Sequence, residues 1–300
     1  MKEVFLFTGC EFRMAKAFTA GYFVLAPKPG RLLRIMEAVT HFLENGLSPS
    51  ESSTLRGKCG FIASQLQGRC LRFADRALIA REYQETGDKT ITPNVRAALL
   101  FILEAFMRLP DKKVCTSGDD DLCLVYSDAA QEEGGPITFG WIVFVPGFRP
   151  RWACGTVPND VVSNFENRKT QIAAGEMLGA LSALYSCQDL LRGKRALQFV
   201  DNIGGLAGLI GGAAGADDLS AIASVFQLLT VSMGLRTWLE YVESEANIAD
   251  GPSRLMDLWI HTPLCKKLNA KQFEALLPDL RLLSDAPFES LRHLPYARAL

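Results

Sequence analysis

Four acidic residues lie where an unpaired charge is costly. They are Asp128 in "LCLVYSDAA", Glu176 in "TQIAAGEMLGALSAL", Asp201 in "RALQFVDN" and Asp250 in "ANIADGPSR". Each stands in or beside an apolar run, and burying a lone carboxylate there is unfavourable unless something pairs with it. Taken singly, Asp128 can cap a turn, Asp201 and Asp250 can cap helices, and Glu176 can reach solvent. Taken together, they form a set of carboxylates distributed over different elements. If the fold gathers them, their mutual repulsion raises their proton affinities, and divalent cations relieve it. A pair of Mg²⁺ (or Mn²⁺) ions about 4 Å apart on such a cluster suits hydrolysis of a phosphodiester.

The elements that would gather them can be read from the pattern. "LCLVYSDAA", "ITFGWIVFVPG" and "RWACGTVPN" read as three strands joined by connections short enough for an antiparallel meander. A long helix over Thr170 to Leu191 follows, then the strand "RALQFVD", a glycine-rich stretch at 203–215, a helix from Asp218 to Met233, the strand "LRTWLEYVE" and a last helix around "NIADGPSR". A helical crossover returns the fourth strand parallel to the first. Asp128 and Asp201 then end neighbouring strands about 4.8 Å apart and face one crevice. On the long helix, small residues at 175, 179, 180 and 183 permit close approach to the sheet on the face that carries Glu176.

The first part of the chain reads as mainly helical. Leu32, Ile35, Met36, Val39, Phe42 and Leu43 recur at helical spacing before Gly46, Ser48-Pro49-Ser50 restarts the chain, and Pro93 to Leu109 forms another helix. The opening residues around "TAGYFVLAPKPG" read as a hairpin or short strands, and a boundary is expected in "LPDKKVCTSGDDD", 109–121. In "LRGKCGFIASQLQGRCLRFADRALIAR" a helix that Gly57 and Gly68 flank or interrupt would carry Arg56, Lys58, Arg69, Arg72, Arg76 and Arg81 against Asp75. Arg69, Arg72 and Arg76 would then form one cationic stripe. Such a stripe suits a phosphate backbone; a solvated amphipathic helix is the plain alternative.

Composition narrows the class. The formal charge of −1 divides into 17 Lys+Arg against 11 Asp+Glu up to residue 118 and 15 against 22 beyond it, a net of +6 followed by −7. A basic half beside an acidic half suits a polyanion held by the first and cations held by the second. With 48% hydrophobic residues in 300 the chain folds. No uncharged apolar run reaches the roughly 18 residues of a membrane span, and the first residues lack a signal-peptide core, so an intracellular protein is expected, in cytoplasm or nucleus. The eight cysteines include no C-x-x-C pair, which argues against a zinc or redox site. The glycine stretch holds no G-x-G-x-x-G.

The segments "VYSDAA", "GEMLGALSAL", "LQFVDN" and "NIADGPSR" resemble, in order, the D, E, D, D motifs of the ribonuclease H domain of retrotransposon reverse transcriptases, nearest to the DIRS-like and gypsy-like groups. The ending with Asn247, Ala249, Asp250, Ser253 and Arg254 is the most specific of these. "LSPSESSTLRGKCGFIASQLQGRCLR" is similar to the thumb or connection region of those enzymes, so the likeness runs roughly from Phe18 to Leu255. It implies an α/β ribonuclease H-like domain with a mixed five-stranded sheet, order β-β-β-α-β-α-β-α, at 122–255. A palm remnant and helical thumb/connection region would occupy 1–114, a linker 115–121, and a tail without an assigned role 256–300.

On that resemblance, Asp128, Glu176, Asp201 and Asp250 hold two Mg²⁺ or Mn²⁺ ions and cut the RNA strand of an RNA/DNA hybrid. Arg56, Lys58, Arg69, Arg72, Arg76, Asn202 and Arg254 would contact nucleic acid, and a polymerase domain would act in cis upstream or in trans. No Y-x-D-D motif is present, since "SGDDDL" lacks the aromatic residue, and no histidine precedes Asp250 in its loop. A non-catalytic nucleic-acid-binding or scaffold remnant and a DNA-cutting nuclease of the same fold are the other readings.

Overall fold

The structure, a computed structural model, describes residues 4–84, 87–108, 110–116, 122–256 and 266–278. These fall into two compact units, one on each side of the 117–121 stretch.

In the first unit, β1 (Val4–Phe7), β2 (Cys10–Arg13) and β3 (Tyr22–Pro27) precede four helices, α1 (Arg31–Asn45), α2 (Pro49–Ile62), α3 (Arg72–Glu82) and α4 (Pro93–Arg108), and β4 (Lys112–Cys115) closes the unit. The strands form one antiparallel sheet in the order β1-β2-β3-β4. A sheet of this extent was not expected in a mainly helical region, and β4 uses part of the stretch read as a boundary. Its register against β3, Tyr22 with Cys115 to Leu25 with Lys112, is a long-range pairing that composition does not reveal.

The start of α2 follows its sequence. Pro49 takes the first position, Ser48 Oγ accepts from Glu51 N at 3.4 Å, and Ser48 N donates to Glu51 Oε2 at 2.8 Å. The expected basic helix is interrupted at the second of its two glycines. After Ile62 comes a π-helical turn, Ala63–Gln67, and Gly68 adopts φ +59°, a conformation that stops the helix. Arg69 therefore precedes α3 rather than sharing a stripe with Arg72 and Arg76.

In the second unit the order is β5 (Leu122–Gln131), β6 (Ile137–Phe144), β7 (Arg151–Thr156), α5 (Asn159–Val162), α6 (Ile172–Ser186), α7 (Gln188–Leu191), β8 (Arg195–Val200), α8 (Ile203–Gly211), α9 (Asp217–Met233), β9 (Arg236–Tyr241), α10 (Asp250–Ser253) and β10 (Lys271–Gln272). The sheet is mixed, with strand order β10-β7-β6-β5-β8-β9. β5, β6 and β7 are antiparallel, whereas β8 runs parallel to β5 and β9 parallel to β8. Six strands stand where five were expected, because the two-residue β10 joins the β7 edge, too short to leave a pattern in the sequence. The glycine-rich stretch at 203–215 forms α8 over most of its length.

α6 is buried from Ala174 to Leu184, and its small residues explain why it can be. A Cβ added to Gly175 would lie 2.7 Å from Ile137 Cγ2 and 3.0 Å from Ala129 Cβ, and one added to Gly179 would lie 3.1 Å from the Asp128 carbonyl oxygen. The helix rests on β5 as closely as glycine permits. Two hydrogen bonds fix it there: Trp141 Nε1 donates to Ser182 Oγ at 3.1 Å, and Gln198 Nε2 to the Ala180 carbonyl at 3.0 Å. Among the described residues, no helix is long and apolar enough to cross a membrane.

Candidate metal centre

The crevice arises from how β5 outruns its neighbour. β5 pairs with β8 only as far as Tyr126 with Phe199, then continues to Gln131 paired with β6 alone. Extending the parallel register by two residues sets Asp128 abreast of Asp201, which immediately follows β8. From above, the close seat of α6 delivers Glu176 between them. One oxygen from each of Asp128, Glu176 and Asp201 lies within 4.8 Å of the others. Carboxylates at this separation can share a cation.

Asp128 and Glu176 are only 4% and 3% exposed, which decides their electrostatics. Burial pushes the Asp128 carboxyl up to about 7; the Ser253 hydrogen bond opposes this, and the charges of Asp201 and Asp250 add to it. Burial likewise pushes Glu176 up to about 10, with Asp128 and Asp201 adding to the shift. Both raised affinities report a site short of positive charge. Glu176 Oε2 is also buried with no hydrogen-bond partner. A cation would supply what that oxygen lacks, so the donor set fits a divalent metal by both charge and unsatisfied valence.

Asp250 opens α10 and lines the same cleft, of about 630 Å³, together with Asn202 and Arg254. It is not in the mutual 4.8 Å set. Its side chain is 43% exposed, and its Oδ1 accepts from Arg254 Nε at 2.9 Å. Asn202, expected at nucleic acid, also serves the backbone, since its Oδ1 accepts from Gly205 N at 2.8 Å and caps α8. The capping role open to Asp201 thus falls to its neighbour, which leaves the Asp201 carboxylate for the crevice.

The remaining polar residues of the terminal motif have partners. Asn247 Nδ2 donates to the Ser127 carbonyl at 3.0 Å, its Oδ1 accepts from Ala249 N at 3.2 Å, and the Ser253 hydroxyl reaches Asp128 Oδ2. Sequence reasoning gave these side chains no role. Gly140 was missed as well: it sits opposite Asp128 on β6, and a Cβ there would lie 2.5 Å from Pro252 C and press on Ser253 N. Its signal was a lone glycine inside a strongly apolar strand.

The proposed basic contacts are dispersed within the first unit. Arg56 Nε donates to Glu82 Oε2 at 2.9 Å, joining α2 to α3, while Lys58 and Arg69 are exposed. Arg72 is exposed and lies 3.5 Å from Asp75; Arg76 is half-buried. Arg81, counted among the cations of the same segment, is fully buried, donating from Nε to the Leu47 carbonyl at 2.7 Å and from Nη1 to Gln84 Oε1 at 2.6 Å.

No protein family model matches the chain, and no curated protein matches it. Among solved structures, it is similar to a ribonuclease H1 from the halophilic archaeon Halobacterium salinarum NRC-1, at 16% identity and a TM-score of 0.31, over 43% of this chain and 90% of that chain.

Proposed function

We propose that the second unit is a ribonuclease H-like domain that hydrolyses the RNA strand of RNA/DNA hybrids, within a retrotransposon reverse transcriptase whose thumb or connection region is the first unit. The single observation that carries the reading is the triad of buried Asp128, buried Glu176 and half-buried Asp201, with three oxygens within 4.8 Å and Glu176 Oε2 unpartnered. Three antiparallel strands followed by two parallel ones, with acids on β5, on α6, after β8 and at α10, support it through the resemblance drawn from the four motifs.

Asp128, Glu176 and Asp201 would hold two Mg²⁺ or Mn²⁺ ions, with Asp250 contributing from the exposed lip. When bound, such ions stabilise charge developing on a phosphate and lower the pKa of a water to the neutral range. The chain's own part is to hold that charge at the mouth of the sheet and to surrender the protons that Asp128 and Glu176 retain without metal. Arg254, on the cleft wall beside Asp250, would contact the phosphate backbone. An RNA 2′-hydroxyl would distinguish the strand to be cut. Arg56, Lys58, Arg69, Arg72 and Arg76 would contribute to hybrid binding from the first unit, and a polymerase domain would act in cis or in trans.

The test is cleavage of an end-labelled RNA/DNA hybrid in Mg²⁺ or Mn²⁺, with Asp201→Asn as control. Metal-dependent cutting of the RNA strand, lost in the variant, is the expected result. Equal inertness of both chains with hybrid binding retained favours a scaffold, and preferential cutting of an all-DNA duplex favours a DNA nuclease.

A further inference from the structure

Ser253 belongs to the most specific of the four motifs, yet the proposed chemistry leaves it without a role. Its environment supplies one. The side chain is fully buried, and its hydroxyl reaches two acceptors, Asp128 Oδ2 and, at 2.8 Å, the Asp250 main-chain carbonyl. One hydroxyl thus bridges a buried acid of the centre to the element that bears Asp250.

The bridge is built to be rigid. α10 lies directly on β6 at Gly140, where a Cβ would lie 2.5 Å from Pro252 C and 2.6 Å from Pro252 Cβ. Gly140 is the cross-strand partner of Asp128, so the serine is presented to that residue by its own neighbour in the sheet. On the approach to α10, Asn247 Nδ2 holds the Ser127 carbonyl at 3.0 Å, tying the same segment to the residue just before Asp128. α10 has only four residues and no side-chain cap, so it gains little order from its own hydrogen bonds. These anchors fix it instead.

We infer that Ser253 is a positioning residue for the metal centre: by occupying Asp128 Oδ2 it fixes the rotation of that carboxylate and keeps the other oxygen directed at the cation shared with Glu176 and Asp201. The inference rests on the reading of the triad as a metal site. Outer partners of ligating carboxylates act in this way, and their loss weakens metal affinity about 10–100-fold. Without the hydroxyl, the Asp128 carboxylate gains rotational freedom that binding must remove, and Oδ2 competes for the cation in a poorer geometry.

Ser253→Ala removes one oxygen and adds no bulk, so the fold is retained; thermal melting in EDTA checks this. The probe is Mn²⁺ alone, with free ion followed by electron paramagnetic resonance, in wild type, Ser253→Ala, Asp128→Asn and the double variant. Mn²⁺ binding at least 10-fold weaker in Ser253→Ala, with no further weakening when Ser253→Ala is added to Asp128→Asn, is the expected result. A merely structural serine would weaken both backgrounds alike, and that outcome overturns the inference. Unchanged affinity in Ser253→Ala overturns it too, leaving the metal site intact. Absence of Mn²⁺ binding in wild type overturns the metal site itself and this inference with it.

Discussion

Replacing Asp128 by asparagine should stabilise the metal-free protein, and more strongly at high pH. Burial and neighbouring acids hold the Asp128 carboxyl at about 7 in the folded state, against an ordinary value of 3.8. Between those values the folded chain keeps a proton that the unfolded chain has lost, so stability falls as pH rises through this window and levels off above it. At about 1.4 kcal/mol for each tenfold change in proton affinity, the full penalty at pH 8 is about 4 kcal/mol, and less than half of it is present at pH 5. Asparagine is nearly the same shape, can accept from the Ser253 hydroxyl and cannot ionise. In EDTA, the variant should therefore gain about 2 to 3 kcal/mol more over wild type at pH 8 than at pH 5, measured by urea unfolding. Saturating Mg²⁺ should shrink or reverse the gain, because only wild type keeps the full ligand set. An equal difference at both pH values, or a variant less stable at pH 8 in EDTA, refutes the account of a centre strained by unmatched negative charge.

Further outcomes follow from the same geometry. Mn²⁺ binding should strengthen as pH rises from 6 to 8 and release protons, because Asp128 and Glu176 must ionise to ligate; calorimetry in buffers of different ionisation enthalpy reads the release. Gly140→Ala should destabilise by about 2 kcal/mol or more by lifting α10 from the sheet, whereas Gly57→Ala, inside α2 with nothing within 4 Å of the added methyl, should stabilise by about 0.5–1 kcal/mol, both read by urea unfolding. Asn202→Ala should cost about 1 kcal/mol in the same assay through loss of the α8 cap. In hybrid binding, Arg72→Ala should flatten the slope of log affinity against log salt by about 1, while Arg56→Ala, whose guanidinium is shared with Glu82, should flatten it by less.

The second unit was the more legible in sequence, and particular residues show why. Asp128 and Asp201 stood out because a carboxylate ending an apolar strand violates the local pattern, and Glu176 because it interrupts a stripe of small residues. What escaped is what depends on contacts distant along the chain. Asp201 and Asn202 are both competent helix caps, and only the folded backbone selects the second. Ser253 looks like any serine after a proline until α10 settles on Gly140. In the first unit, apolar spacing carries on from Ile62 through Leu66 to Leu71, so periodicity alone joins two helices that Gly68 separates. Arg81 reads as a surface cation because its acceptors, the Leu47 carbonyl and the loop at Asp88, are brought to it only by folding.

The adjacent pair after β8 has a directional consequence. Its two members share a shape and differ by a charge, yet transposing them would not be a neutral exchange. An Asn-Asp order would still begin α8 competently, with the charged residue better placed for the helix dipole, so folding would not penalise it. The crevice would lose one of its anionic donors all the same. Drift could strip such a centre of a donor without harming the fold, and an intact, well-folded descendant is then no guide to whether the ligand set survives.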